Sequence, residues 1–268
     1  MWLKVHSRSV FAATGGRDHL PGQALVLFLH GAGMDHSIWA LQSRALAHRG
    51  LNVLALDFPG HGGSEGPALT SIGDLADWTA EAIAAAGAER AILIGHSMGA
   101  LVALETAARR PDRVAALGLV GVASKMPVHP DLLAAAQANS HDAVDMVSIW
   151  GLGGPATLGG SPSPGQWMLG AAARLLERSA PGVLHADLAA CNAYAGASDA
   201  AAKVACPALL VLGERDQMTP LKGGKALAAL IQGPPRVVVI DDAGHMMMIE
   251  RPDETLEALK WIVAAATL

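Results

Sequence analysis

Six short apolar runs set the frame for this chain: Ala24–Leu29, Leu51–Leu56, Ala91–Ile94, Val114–Val120, Ala208–Leu212 and Val237–Ile240. Each stops abruptly at a polar or flexible residue: His30-Gly31, Asp57, Gly95, Gly121, Gly213 and Asp241. Runs of this length that are apolar at nearly every position read as strands buried on both faces, the signature of a parallel sheet. Helical segments separate them, over about Asp35–Arg49, Ser71–Ala86, Met98 to just before Pro111, Pro220–Ile231 and Asp253–Ala266. The second opens with Ser71 and Asp74 in capping-box-like spacing and stops at Gly87. Strand, helix, strand in repetition predicts a doubly wound α/β sheet. Leu3–His6 and Val10–Ala13 add a candidate edge hairpin, for about eight strands in all.

The alternation breaks between Ser124 and Lys203. Strand-like runs vanish there, and helical stretches appear near Asp131–Asn139, Asp142–Trp150, Gln166–Ser179 and Val183–Tyr194, with a Gly/Pro-rich loop at Gly151–Gly165. The expected organisation is a core of residues 1–123 and 204–268, with a helical cap, 124–203, inserted after the sixth strand.

Composition narrows the function classes. With 51% hydrophobic and 16% charged residues among 268, the chain is not of the disordered type. Its net charge of −5, and no basic cluster beyond pairs such as Arg109-Arg110, argue against nucleic acid. Cys191 and Cys206 are too few for a disulfide framework and read as reduced thiols. The N-terminus lacks a signal-type apolar stretch, and no apolar run approaches the ~20 residues that span a bilayer. The expectation is a cytoplasmic protein without membrane attachment, monomer or homodimer. Asp57 and His61 lack the partners of a metal motif, and there is no Walker-type loop or G-x-G-x-x-G after the first strand, so neither metal nor nucleotide cofactor is expected.

Chemistry concentrates in Gly95-His96-Ser97-Met98-Gly99, between an apolar run and a helix. This is the G-x-S-x-G pattern of a nucleophile elbow. Glycines around the serine permit a strained strand-to-helix turn, and the following helix offers free N–H groups and a positive dipole end. A serine needs a base and an orienting acid. Asp216, in Gly213-Glu214-Arg215-Asp216, and His245, in Asp242-Ala243-Gly244-His245, each follow a strand end, where open α/β sheets build sites. Glu214, Asp241 and Asp242 are rival acids, and Asp216 has an alternative reading as a helix cap.

These motifs, with His30-Gly31-Ala32-Gly33 and Asp57-Phe58-Pro59-Gly60-His61-Gly62-Gly63-Ser64, resemble the α/β-hydrolase superfamily in the expected order and over nearly the whole chain. The resemblance implies an α/β-hydrolase fold, Ser97 as nucleophile, His245 as base and Asp216 as its orienting acid. It implies an oxyanion hole from the backbone N–H groups of Ala32 and Met98, and no cofactor. Branches that open epoxides or cleave carbon–halogen bonds carry Asp at the elbow, so Ser97 turns the reading toward a carboxylic ester or lactone. A carbon–carbon bond hydrolase and a monoacylglycerol lipase are alternatives with the same triad. A non-catalytic small-molecule receptor is the alternative of another class. Methionines near the triad (Met98, Met218, Met246–Met248) suggest an apolar, adaptable pocket. The candidate substrate-binding residues are His36, Trp39, Trp150, Trp167, Tyr194, Met218 and Met246, for each of which core packing is the competing reading.

Overall fold

A computed structural model describes residues 1–160 and 166–266. The chain opens with β1 (Trp2–Val5), β2 (Arg8–Ala13) and β3 (Leu25–Leu29), followed by a 3-10 turn, His36–Trp39, and α1 (Ala40–Ala47). Next come β4 (Asn52–Leu56), α2 (Ile72–Ala85), β5 (Ala91–His96), α3 (Met98–Arg109) and β6 (Val114–Val120). Helices follow: α4 (Pro130–Gln137), α5 (His141–Trp150), α6 (Gly154–Thr157), α7 (Met168–Glu177), α8 (Val183–Ala193) and α9 (Ala197–Ala201). The chain then resumes alternation with β7 (Ala208–Gly213), α10 (Leu221–Ala228), β8 (Arg236–Ile240), α11 (Met247–Glu250) and α12 (Pro252–Ala266).

The eight strands form one sheet in the order β1-β2-β4-β3-β5-β6-β7-β8. β1, β2 and β4 pair antiparallel and every other neighbouring pair is parallel. Each inner strand feeds two cores because successive side chains point to opposite faces. Leu25, Leu27 and Leu29 enter one cluster, whereas Val26 and Phe28 enter the other. Full burial of each such side chain is worth about 1.5–3 kcal/mol, and all five side chains of β3 contribute because both faces of the sheet are covered.

The last run departs from the expectation of burial on both faces. Along β8, Arg236 and Val237 are exposed and only Ile240 is buried. β8 is an edge strand with one parallel neighbour. The Arg236 guanidinium lies over the Trp261 ring of α12, 5.2 Å from its centroid.

Helix ends follow local chemistry. Ser71 Oγ accepts the Asp74 N–H at 3.0 Å, as its spacing predicts. Three short helices escape the apolar pattern: α6 inside the expected Gly/Pro loop, α9, and α11 just after His245. Four or five residues are too few for a helical period to register. The rest of that loop, 161–165, lies outside the described residues. Between β6 and β7 the described residues contain helices and no strand.

Candidate active site

The turn from β5 to α3 is strained. Ser97 adopts φ 53°, ψ −116°, a conformation that costs a non-glycine residue of order 1–3 kcal/mol. Its surroundings hold it there: its N–H donates to Val120 O at 2.9 Å, and its carbonyl accepts from Ala100 and Leu101. Flanking glycines are required by contact. A Cβ on Gly95 would lie 2.1 Å from Gly99 O, and one on Gly99 would lie 2.5 Å from both Leu29 O and His30 O.

Asp216 and His245 come from the ends of β7 and β8 and meet. His245 Nδ1–H donates to Asp216 Oδ2 at 2.8 Å. Asp216 Oδ1 accepts the N–H groups of Met218 (2.9 Å) and Thr219 (2.8 Å), and Oδ2 also accepts from Thr219 Oγ1 at 2.6 Å. Burial alone would raise the Asp216 pKa, but the adjacent imidazole and these bonds hold it below the ordinary carboxylate value. The rival acids lie elsewhere. Glu214 accepts the Asp242 N–H, and Asp242 pairs with Arg215.

With Nδ1 donating, a neutral His245 presents Nε2 as a base. That atom is buried and has no hydrogen-bond partner among the described residues. Ser97 and His245 line the same cavity, and among the described residues no hydrogen bond joins them. The ring has room because Gly121 has no side chain: a Cβ there would lie 3.1 Å from His245 Cε1 and Nδ1. Behind it, His96 donates from Nε2 to His245 O at 3.1 Å, and burial keeps its own pKa well below the ordinary value.

The loop after β3 is built around His30. Its Nε2 accepts the Phe58 N–H at 3.1 Å, so the proton resides on Nδ1, which donates to Gly31 O at 2.8 Å. Burial drives the His30 pKa down to about 3, fixing the neutral form. The adjacent Ala32 borders the Ser97 cavity. Met98 opens α3, so its N–H has no acceptor within the helix.

The cavity encloses about 290 Å³, at the low end of the ~300–1,000 Å³ typical of ligand pockets. Most of its wall comes from the segment between β6 and β7, including Leu132, Val147, Leu176, Leu184 and Leu188. No Asp, Glu, Lys or Arg lines it among the described residues. One wall residue, Ser148, is buried, with no partner for its Oγ among the described residues.

Of the expected pocket residues, Trp150, Met218 and Met246 line this cavity. Four others do not. Trp39 is wholly buried in the core, its Nε1–H donating to Leu29 O at 3.0 Å, because its ring packs on Phe28 under the sheet. Trp167 is 76% exposed at the start of α7. Tyr194 packs against the other core cluster, and its hydroxyl donates to Glu105. His36 is tied through Nδ1 to Asp57 at 2.7 Å and lines a separate, polar cavity. Met247 and Met248 are core residues. The sequence reading missed the aliphatic wall from α4, α5, α7 and α8, and Met34 and Met126. Their apolar helical spacing was visible, but not which face turns to the cavity.

A second cluster, Asp35, His36 and Asp57, has ligand atoms within 4.8 Å of one another. Its carboxylates already accept from Ser37 N, Arg178, His36 and Gly63 N, so hydrogen bonds within the fold account for the grouping.

An α/β sheet with a strained serine at the β5–α3 turn and an acid–histidine pair at the ends of β7 and β8 defines a hydrolase-type architecture. Residues 26–258 match the Alpha/beta hydrolase family, to which the chain therefore belongs. It is 30% identical to a pimeloyl-[acyl-carrier protein] methyl ester esterase of Methylococcus capsulatus, over 96% of this chain and 99% of that protein. It is 28% identical to epoxide hydrolase A of Mycobacterium tuberculosis, over 89% and 90% respectively. In fold it resembles the enol-lactonase from Burkholderia xenovorans LB400, with a TM-score of 0.86 at 24% identity, covering 98% of this chain and 100% of that one.

Proposed function

We propose that the protein is a serine hydrolase that cleaves a small to medium, largely uncharged carboxylic ester or lactone through an acyl-enzyme. The observation that carries this reading is one uncharged cavity bordered by both Ser97 and His245, with Asp216 2.8 Å behind the imidazole. The reading includes a cytoplasmic location, a monomer or homodimer, and a core–cap division at 123/124 and 203/204.

In this mechanism Ser97 rotates toward His245. Its Oγ bonds to the substrate carbonyl carbon while its proton passes to Nε2. The carbonyl π-electrons move to oxygen, and the Ala32 and Met98 N–H groups stabilise that oxyanion. Collapse breaks the bond to the alcohol, which leaves with the Nε2 proton. Water, deprotonated by the same nitrogen, then releases the acid and restores Ser97. Asp216 keeps the proton on Nδ1 and stabilises the transient imidazolium.

Serine also favours acyl transfer over the epoxide opening named for one relative. Opening an epoxide with a serine oxygen would leave an ether, which water does not readily cleave. Acylation leaves an ester, which it does. A p-nitrophenyl ester series from acetate to octanoate tests the reading, alongside fluorophosphonate labelling. The expected result is turnover and labelling of wild type, both lost in Ser97→Ala. A wild type that neither turns over nor labels overturns it in favour of a receptor.

A further inference from the structure

We propose that Asp187, on α8 between β6 and β7, is a positioning residue for the oxyanion donor at Ala32. This rests on the hydrolase reading above. Two peptide planes meet at the Ala32 Cα, and each is held by a different buried side chain. The Gly31–Ala32 plane, which carries the Ala32 N–H, is held through Gly31 O by His30 Nδ1–H at 2.8 Å. The Ala32–Gly33 plane is held through the Gly33 N–H, which donates to Asp187 Oδ2 at 2.8 Å. With both planes held, the Ala32 N–H has little freedom to turn. A donor in an oxyanion hole acts only where its direction is set before the charge develops.

Asp187 is itself held. The same Oδ2 accepts from His61 Nε2–H at 2.8 Å, while His61 Nδ1–H donates to Pro59 O at 3.1 Å. Both ring nitrogens face acceptors, which requires the imidazolium. Burial opposes that charge, but the Asp187 carboxylate outweighs it and raises the His61 pKa. The pair is wholly buried, and Asp187 Oδ1 has no hydrogen-bond partner among the described residues. A buried ion pair with an unfilled oxygen is a poor source of stability, since apolar groups of similar size often serve as well. Its distinct consequence is positional: a helix outside the sheet fixes the backbone beside Ser97. Gly33 at φ 67° permits this approach, because a Cβ there would lie 2.7 Å from Leu184 Cδ1.

The experiment compares Asp187→Ala and Asp187→Asn on p-nitrophenyl butyrate, with inhibition by an alkyl trifluoromethyl ketone, whose serine adduct carries an oxyanion. Removing an oxyanion donor outright costs about 10²–10³-fold in kcat, so loosening one predicts a loss of about 10- to 100-fold in Asp187→Ala. The ketone's Ki should rise by a similar factor while KM moves less than about threefold. Asp187→Asn should lose less than Asp187→Ala, since its amide oxygen can still accept the Gly33 N–H, although the His61 imidazolium loses its counter-charge. If Asp187→Ala fails to fold around the stranded imidazolium, Asp187→Leu with His61→Leu removes both charges and should show the same kcat and Ki losses. A folded alanine or double-leucine variant with wild-type kcat overturns the proposal. So does a kcat loss with unchanged Ki, or an asparagine variant as impaired as alanine. A wild type inactive on esters and inert to fluorophosphonate overturns the hydrolase reading and this inference together.

Discussion

His245 meets Asp216 through one oxygen only: Oδ2 lies 2.8 Å from Nδ1, while Oδ1 is taken by the N–H groups of Met218 and Thr219. The two oxygens are therefore not interchangeable. In Asp216→Asn the amide oxygen must occupy the Oδ1 position, because two backbone donors point at it, leaving the NH2 to face the imidazole. His245 must then accept at Nδ1 and carry its proton on Nε2, where it cannot deprotonate Ser97. We predict a fall in kcat on the order of 10⁴-fold with the fold intact. Steady-state kinetics with circular dichroism checks this; a loss below tenfold would falsify the role of Asp216.

Glu250 joins the histidine loop to the neighbouring helical segment. Its carboxylate accepts the Gly153 N–H at 2.8 Å and the Gly244 N–H at 3.1 Å. Burial, the largest influence, raises its pKa above the ordinary 4.5 despite these bonds. Between the unfolded and folded values the native state holds more protons than the unfolded chain, so stability contributed by this group falls as pH rises through that window. Relative to Glu250→Gln, which does not titrate, wild type should lose a few degrees of Tm as pH climbs from 4.5 past the raised value. Thermal melts across pH 4–8 measure it, and a pH-independent difference between the two proteins counts against the argument.

Gly95 and Gly99 face backbone atoms, which cannot swing aside as a side-chain end can. Alanine at either position should cost about 3 kcal/mol or more. Gly22, with nothing within 4 Å of a built Cβ, lies outside the elbow but has φ 82°, so alanine there meets only backbone strain, on the order of 1–2 kcal/mol. Urea titrations of the three variants should separate accordingly; equal midpoints would sink the packing account.

Leu188 on α8 lines the uncharged cavity. Leu188→Trp should shorten the preferred acyl or alcohol chain, lowering kcat/KM for octanoate more than tenfold relative to acetate. An unchanged ratio across the p-nitrophenyl series means that the chain lies elsewhere.

The sheet was legible because its strands carry their own punctuation: apolar through Val120 or Leu212, then glycine. Of the candidate site, the meeting of Asp216 and His245 was legible because strand ends converge in such a sheet. The pocket was not. Trp39 and Trp150 have the same chemistry, yet one lies under the sheet and the other on the cavity wall. The choice depends on how helices from distant parts of the chain cross, which no local period encodes. His61 belongs to the Asp57–Ser64 motif, but its partner Asp187 lies 126 residues away in a segment that no motif covers, so only the fold reveals the pair.

Near His245 two loops run against each other almost bare. Gly151 O accepts the N–H groups of both His245 and Met246 at 3.0 Å, and a Cβ on Gly244 would lie 2.3 Å from Gly153 N. Redesign of the pocket is therefore asymmetric. Substitutions at the cavity-lining Leu175, Leu176 and Leu188 address cavity shape, whereas grafting a foreign sequence across 150–153 also resets the aim of the imidazole. A laboratory evolving new selectivity should randomise those leucines and leave Asp187 and the 150–153 loop untouched.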